Sequence, residues 1–170
     1  MLRLLYRFLL EREVIKKGVF PKHLMIICSE IDENFKKFLE WCKKFGIEEV
    51  TICMKNVEDL DLKVDGIKLN FVNKSGKEEV VNAIKKLVEK VLKGELKAED
   101  IDEEKFEAFL ILKSQPDIIV KAGKEVPEFM IWQSIYSELL FTDVDWKTIR
   151  YIDFLRILRE YQRRERRYGR

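Results

Sequence analysis

Two parts of the chain carry residues whose type and spacing suit chemistry. Lys121 and Lys124 bracket Ala122-Gly123 in a turn with a basic mouth, directly after the apolar run Asp117–Val120. Ammonium groups beside an accessible glycine backbone can attract phosphate, though weakly when they stand alone. At the other end, eight arginines fall between Arg150 and Arg170, closing on Arg167-Tyr168-Gly169-Arg170. Taken alone, such a tail reads as a solvated or nucleic-acid-binding end. Lys and Arg together number 33 against 31 acidic residues, so bulk charge names no polyanionic partner and argues against a nucleic-acid role. Cys28, Cys42 and Cys53 have neither metal nor redox spacing; two of them lie in apolar strand runs and read as buried, reduced thiols of an intracellular protein. His23 is the only histidine and has no partner residues nearby in sequence, so it reads as structural.

These residues need elements to position them. The 170 residues suffice for one domain with a full core. Met1 to Lys17 has the pattern of a basic amphipathic helix, with Leu2, Leu5, Tyr6, Leu9 and Leu10 on its apolar side and Arg3, Arg7 and Arg12 away from it. It can dock on its own domain or lie against a membrane surface. The arginines interrupting it, and the lack of a small-residue cleavage site, argue against a signal peptide. No run has transmembrane length. Apolar runs at His23–Cys28, Val50–Met54, Ile67–Val72 and Asp117–Val120 predict strands, and Leu139–Phe141 leads into another. Between them, Phe35, Phe38, Leu39, Cys42 and Phe45 repeat at helical spacing, with Ser29 or Asp32 as cap and Gly46 as stop. Ser75 with Glu78 forms a capping box for a long helix. Its residues Val80, Val81, Ile84, Leu87, Val88, Val91 and Leu92 predict a buried stripe. Asp102 caps a shorter helix, and a basic helix and tail occupy 148–170. Alternating strands and helices imply a single α/β domain: a mostly parallel sheet covered on both faces. Charged residues make up 38% of a chain poor in Asn and Gln, which is the composition of a heat-adapted protein.

The stretch Pro116–Trp146 carries a more specific signal. Pro116, Asp117, Gly123, Glu125, Phe129, Trp132, Gln133, Tyr136, Glu138, Leu139, Phe141, Thr142, Asp143 and Trp146 stand in the order of a known signature. Pro127 suits the first turn of a helix, and Phe129, Trp132, Gln133 and Tyr136 then share one helical face. This stretch resembles the cis-prenyltransferases, the undecaprenyl and dehydrodolichyl diphosphate synthases. Asn73–Glu78 and Glu99–Phe106 resemble further family segments, and Arg167-Tyr168-Gly169 resembles its C-terminal Arg-x-Gly motif. The resemblance implies the shortened cis-prenyltransferase fold. It also implies that Glu138 matches a magnesium-site glutamate, that Phe129, Trp132, Tyr136, Phe141 and Trp146 face a partner subunit, and that Arg167 and Gly169 reach across a dimer to bind isopentenyl diphosphate. Lys121, Gly123 and Lys124 remain weak phosphate candidates.

Three departures narrow the expectation. Family enzymes end the first strand in Met-Asp-Gly-Asn-Arg-Arg, whose Asp binds magnesium; here Cys28-Ser29-Glu30-Ile31 stands there, followed by Asp32 and Glu33. A diphosphate needs cations and backbone donors, so this local charge has the wrong sign. The link after Met54 is short and largely charged, so it cannot wall a tunnel for a long apolar product. Lys121 replaces a family arginine, and Val126-Pro127-Glu128 replaces a segment bearing another arginine and a serine. Loss of the allylic site with retention of the interface and tail resembles the accessory subunits of two-component cis-prenyltransferases, such as the Nogo-B receptor. The expectation is a cytoplasmic non-catalytic subunit whose residues 1–17 either dock on the domain or make peripheral contact with the membrane. It would pair with a catalytic chain that holds most of the Mg²⁺ and makes polyprenyl diphosphate for carriers such as dolichol. A homodimer is possible when it is alone. The alternatives are a self-sufficient divergent prenyltransferase and a scaffold that kept only the fold.

Overall fold

A computed structural model describes residues 2–55, 62–123 and 132–164. Its elements run α1 (Leu2–Lys17), β1 (His23–Ile27), α2 (Phe35–Lys44), β2 (Glu49–Cys53), β3 (Lys68–Val72), α3 (Gly76–Leu92), a 3₁₀ turn (Ala98–Asp100), α4 (Glu103–Glu107), β4 (Ile118–Ala122), β5 (Glu138–Thr142) and α5 (Tyr151–Arg163). The five strands form one sheet in the order β3-β2-β1-β4-β5, and every neighbouring pair is parallel. This is the expected α/β sheet, and its five strands match the apolar runs to within a residue or two.

The central strands are apolar on both faces because both faces are covered. On one face Leu24, Ile26, Val50, Ile52, Ile118 and Val120 join the main core with α1, α2 and α5. Its centre is aromatic: Phe38 meets Trp146 and Phe154 edge to face, with ring centroids 5.6 and 5.4 Å apart. On the other face Met25, Ile27, Cys53, Val72 and Ile119 form a smaller core with Leu112. Burial of α2 follows its sequence period, with Phe35, Phe38, Leu39 and Cys42 inside. Its stop is Gly46, at φ 72°. The start differs from expectation: α2 begins after Asn34, and the Asp32 carboxylate accepts the Asn34 N–H at 2.9 Å instead of capping the helix. The Ser75–Glu78 capping box and the Asp102 cap both form.

Of the predicted stripe of α3 only Leu87 is buried, and Val80 and Val91 are half-buried. Val81, Ile84 and Val88 are each 49% exposed and Leu92 82%, while the helix buries Gly76, Glu79, Ala83 and Leu87. The helix is held by one edge of the predicted stripe, at Leu87, together with Gly76, Glu79 and Ala83, which the period did not select. Leu62 and Val64, the buried residues of the described part of the link between β2 and β3, tuck into the main core on the opposite face. The helix expected around Trp132, Gln133 and Tyr136 is also absent from the described residues, where 132–136 are turns; Pro127 and Phe129 lie outside them. The last helix starts at Tyr151 rather than near Thr148. Arg150 precedes it and grips Asp153 with two N–H groups, at 2.8 and 2.9 Å.

Helix α1 docks on its own domain, through Leu10 of the predicted apolar side and through Val14, which was not assigned to it. Leu10 and Val14 are buried in the main core; burying two such side chains contributes about 1.5–3 kcal/mol each. The Glu11 carboxylate accepts the Tyr151 hydroxyl at 2.8 Å and pairs with Lys44 at 2.6 Å. The Gln162 amide donates to the carbonyls of Val14 and Val19 at 3.0 and 2.9 Å. Leu5, Tyr6 and Leu9 remain exposed.

Candidate functional site

In an open parallel sheet, ligands sit outside the carboxyl ends of the strands, at the point where the strand order reverses. Here that point lies between β1 and β4, which pair through Ile27 and Lys121. Cys28, Ser29 and Glu30 come from β1, and Lys121, Ala122 and Gly123 from β4. Gly123 adopts φ 87°, which only glycine takes without strain, and its N–H donates to Thr142 O at 3.0 Å. Lys121 and Ala122 of the expected turn are still strand, and of its described residues only Gly123 bends. Lys121 does not project as a phosphate hook: its ammonium folds back onto the carbonyl of Ala122 at 3.2 Å. Across the gap Glu30 pairs with Lys147 at 2.7 Å. Burial pushes the Cys28 and Cys53 thiols up to about 12, so both are neutral and inert at this edge. Lys124 lies outside the described residues.

Glu138 is at the other end of the sheet. It pairs with Ile118 at the start of β4, whereas Lys121 pairs with Phe141. Three residues of strand separate the two sites, about 10 Å. Glu138 accepts from Arg164 at 3.2 Å, and the same guanidinium nitrogen donates to Leu139 O at 2.7 Å. The fold thus does not bring Glu138 together with Lys121 and Gly123. Arg167 and Gly169 lie outside the described residues, as does Phe129.

The residues expected to face a partner divide. Tyr136 and Phe141 are exposed, beside the exposed Ile135, on or just before the edge strand β5. Trp132 is half-buried, its ring tilted against Phe106 with centroids 4.7 Å apart and its indole N–H donated to Glu107 at 2.9 Å. Trp146 is a correction: it is 3% exposed and packs on Phe35 and Phe38 in the main core, so it faces this chain's own interior.

Two further anchors were not read from the sequence. The Asp117 carboxylate accepts the N–H groups of Lys22 and His23 at 2.7 and 3.0 Å, locking the start of β1 to β4. Glu79, 3% exposed, accepts the Ile111 N–H at 2.7 Å and the Gln133 amide at 3.1 Å, and that amide also donates to Leu112 O at 2.9 Å. This carboxylate ties α3 to the segment leading into β5. Its position beside the capping glutamate masked it, because acidic residues in a first helical turn are ordinarily solvated. His23 is structural as read: its Nε2 lies 2.8 Å from the Thr51 hydroxyl, and burial holds its pKa below the ordinary value.

Residues 53–169 match the family model described as "Putative undecaprenyl diphosphate synthase". The chain belongs to the cis-prenyltransferase family. A tritrans,polycis-undecaprenyl-diphosphate synthase (geranylgeranyl-diphosphate specific) of Pyrococcus furiosus is 32% identical over 96% of this chain and 92% of its own length. An isoprenyl transferase of Bacillus subtilis is 44% identical over 62% of this chain and 42% of its own. Lavandulyl diphosphate synthase from Lavandula x intermedia shares the fold, with a TM-score of 0.73 at 21% identity over 89% of this chain and 99% of that one. The Pyrococcus furiosus alignment spans 244 positions against a chain of 170 residues. Both ends of both proteins are nearly covered, so most of the relative's surplus is internal.

The family's magnesium can be tested against the residues present. A hard divalent cation takes carboxylate and water oxygens, usually one or two carboxylates plus substrate phosphates. The end of β1 offers Ser29, a neutral hydroxyl, and Glu30, already neutralised by Lys147. Glu138 stands at the opposite end under Arg164. No group of three or more His, Cys, Asp or Glu side chains fit to hold a metal exists among the described residues. The described residues of this chain by themselves do not fit the ion.

Proposed function

We propose that this cis-prenyltransferase-family chain is the non-catalytic subunit of a two-chain polyprenyl diphosphate synthase. The observation that carries the reading is the end of β1. Where the family places a metal-binding aspartate and a diphosphate-binding arginine pair, this chain has Ser29 and a Glu30 carboxylate consumed by Lys147. The internal shortening against the Pyrococcus furiosus relative supports the same reading. So does α3, whose apolar face is open to solvent instead of walling a tunnel. A separate catalytic chain would bind the allylic primer, magnesium and the growing product. The two would meet along the β5 edge, at Tyr136 and Phe141.

The C-terminal tail has a defined departure point. Arg164, the last described residue, is clamped to Glu138 and the Leu139 carbonyl, so the chain leaves α5 beside the exposed edge strand. From there Arg167 and Gly169 would enter the partner's site. A guanidinium and a backbone N–H would hold the phosphates of isopentenyl diphosphate and meet the charge developing on the departing diphosphate.

The names of the relatives favour a second reading, in which this chain is itself a synthase. One assay separates the two: condensation of labelled isopentenyl diphosphate onto an allylic primer with magnesium. It is run with this chain, with a full-motif synthase from the same cell, and with both. Activity confined to, or much greater in, the mixture is expected, as is its loss without loss of pairing when Arg167–Arg170 are deleted. Turnover by this chain alone would overturn the accessory reading. A mixture no more active than the synthase alone would leave only a scaffold.

A further inference from the structure

The first half of α1 has no counterpart surface in the domain. Leu4 is 62% exposed, and Leu5, Phe8 and Leu9 are exposed to a similar degree. Residues 1–10 hold Arg3 and Arg7 and no acidic residue. Helical spacing places Leu4, Phe8, Arg12 and Lys16 in one row and Leu5 and Leu9 in the adjacent one. The exposed face is thus apolar over its first turns and cationic over the next. Arg12 bends back over the Phe8 ring at 5.6 Å, its stem along the apolar row and its charge at the border. Of the two acidic residues between these turns, Glu11 faces inward onto Lys44 and Tyr151, and Glu13 is exposed on the Leu5–Leu9 row, leaving the cations of this face in excess. Beside the tip, Arg159 donates to the Tyr6 hydroxyl at 3.4 Å and Arg156 lies 5.8 Å from the Tyr6 ring, adding cations to the same border.

The mount is rigid. Leu10 and Val14 are buried, Glu11 is held by two partners, and Lys17 donates to Gln162 O at 3.0 Å. An apolar tip is therefore held out from the domain with a collar of cations behind it. A soluble helix that is apolar around most of its circumference needs a partner. A second copy of the chain would bring to this face the same cations, against the single exposed carboxylate of Glu13. An anionic bilayer supplies both missing complements: acyl chains for the tip and phosphates for the collar.

We infer that α1 seats this protein on an anionic membrane surface, with Leu4, Leu5, Phe8 and Leu9 below the headgroups and Arg12 and Lys16 among them. The helix lies on the surface and does not cross it, since no described helix is long and apolar enough to span a bilayer. This inference is independent of whether the chain is an accessory subunit or a synthase.

Flotation of the full chain with vesicles tests it. One set is phosphatidylcholine alone; the other has one third of its lipid replaced by phosphatidylglycerol. Binding is expected to the anionic set, falling steeply at molar salt. Arg12→Glu with Lys16→Glu should weaken it by at least about 30-fold, taking roughly fivefold per cation. Leu5→Glu with Phe8→Glu should abolish it. All four positions are exposed, and unchanged circular dichroism and melting will show that the variants fold. Failure to float with anionic vesicles would overturn the inference, as would equal flotation with both sets. So would a Leu5→Glu/Phe8→Glu variant that still floats while its mass in solution falls from dimer to monomer, since the face would then belong to a second copy.

Discussion

Replacing Glu79 by alanine should loosen the segment that leads into β5, and the size of the effect can be worked from its contacts. The carboxylate is buried and accepts from the Ile111 N–H at 2.7 Å and from the Gln133 amide at 3.1 Å. Hydrogen bonds to a charged acceptor contribute about 1.5–3 kcal/mol each when buried. Ile111 itself is 47% exposed, so water can reach part of that site and its share is discounted. Gln133 is buried and keeps only the Leu112 carbonyl. The expected loss is about 3 kcal/mol for Glu79→Ala, and about 1 kcal/mol for Glu79→Gln, which retains a neutral acceptor. For a domain of this length, 3 kcal/mol is a fall in Tm of about 6–12 °C. The assay is thermal and urea unfolding of Glu79→Ala, Gln133→Leu and the double variant. Coupling between the two sites should make the double variant cost less than the two singles together, by about 1 kcal/mol or more. A Glu79→Ala protein melting within about 2 °C of the parent, or strict additivity, would refute the claim that this carboxylate holds α3 to the Gln133 segment.

Two other perturbations test the assignments above. Trp146→Ala empties the centre of the aromatic core, so it should cost about 3–5 kcal/mol in urea unfolding; loss of subunit pairing with unchanged stability would return Trp146 to the interface. Burial, opposed by the nearby Glu49 charge, holds the His23 pKa below 6.5 in the folded state, so the unfolded chain binds the extra proton. Stability should therefore be complete above the unfolded value and fall as pH drops through it toward the folded one. Tm measured from about pH 8 to about pH 5 should decline more steeply in the parent than in His23→Gln; parallel curves would sink the argument.

The sheet was legible because it rests on local signals. Leu24–Ile27 is apolar at every position and Val50–Cys53 at all but Thr51, and only burial on both faces accommodates that. Ser75 with Glu78, Asp102 with Lys105, and Gly46 each act within a few residues, so their roles follow from spacing alone. The family was legible too, because the order of Pro116, Asp117, Gly123, Trp132, Gln133 and Glu138 is preserved even where the chemistry changed. The mismatch at Ser29-Glu30 is likewise a matter of residue type and needed no coordinates.

What the tertiary structure decided is which side of each element meets the rest. The period of α3 marks Val81, Ile84, Val88 and Leu92 as a face to be covered, and periodicity carries no information on whether a cover exists. Leu62 and Val64 of the link from β2 to β3 pack on the other side of the sheet, and these four side chains stay exposed. Trp146 looked like a surface aromatic from its place in the signature, and it is core because α2 brings Phe35 and Phe38 against it from over a hundred residues away. Glu79 is one of two adjacent glutamates in a first helical turn; Glu78 caps and Glu79 is buried, a difference set by Gln133, 54 residues on. Lys121 and Glu138, seventeen residues apart in one signature, stand at opposite ends of paired strands because parallel pairing returns the chain to the starting edge of the sheet. Residue type determined which chemistry was available; long-range packing determined which of those residues could act together.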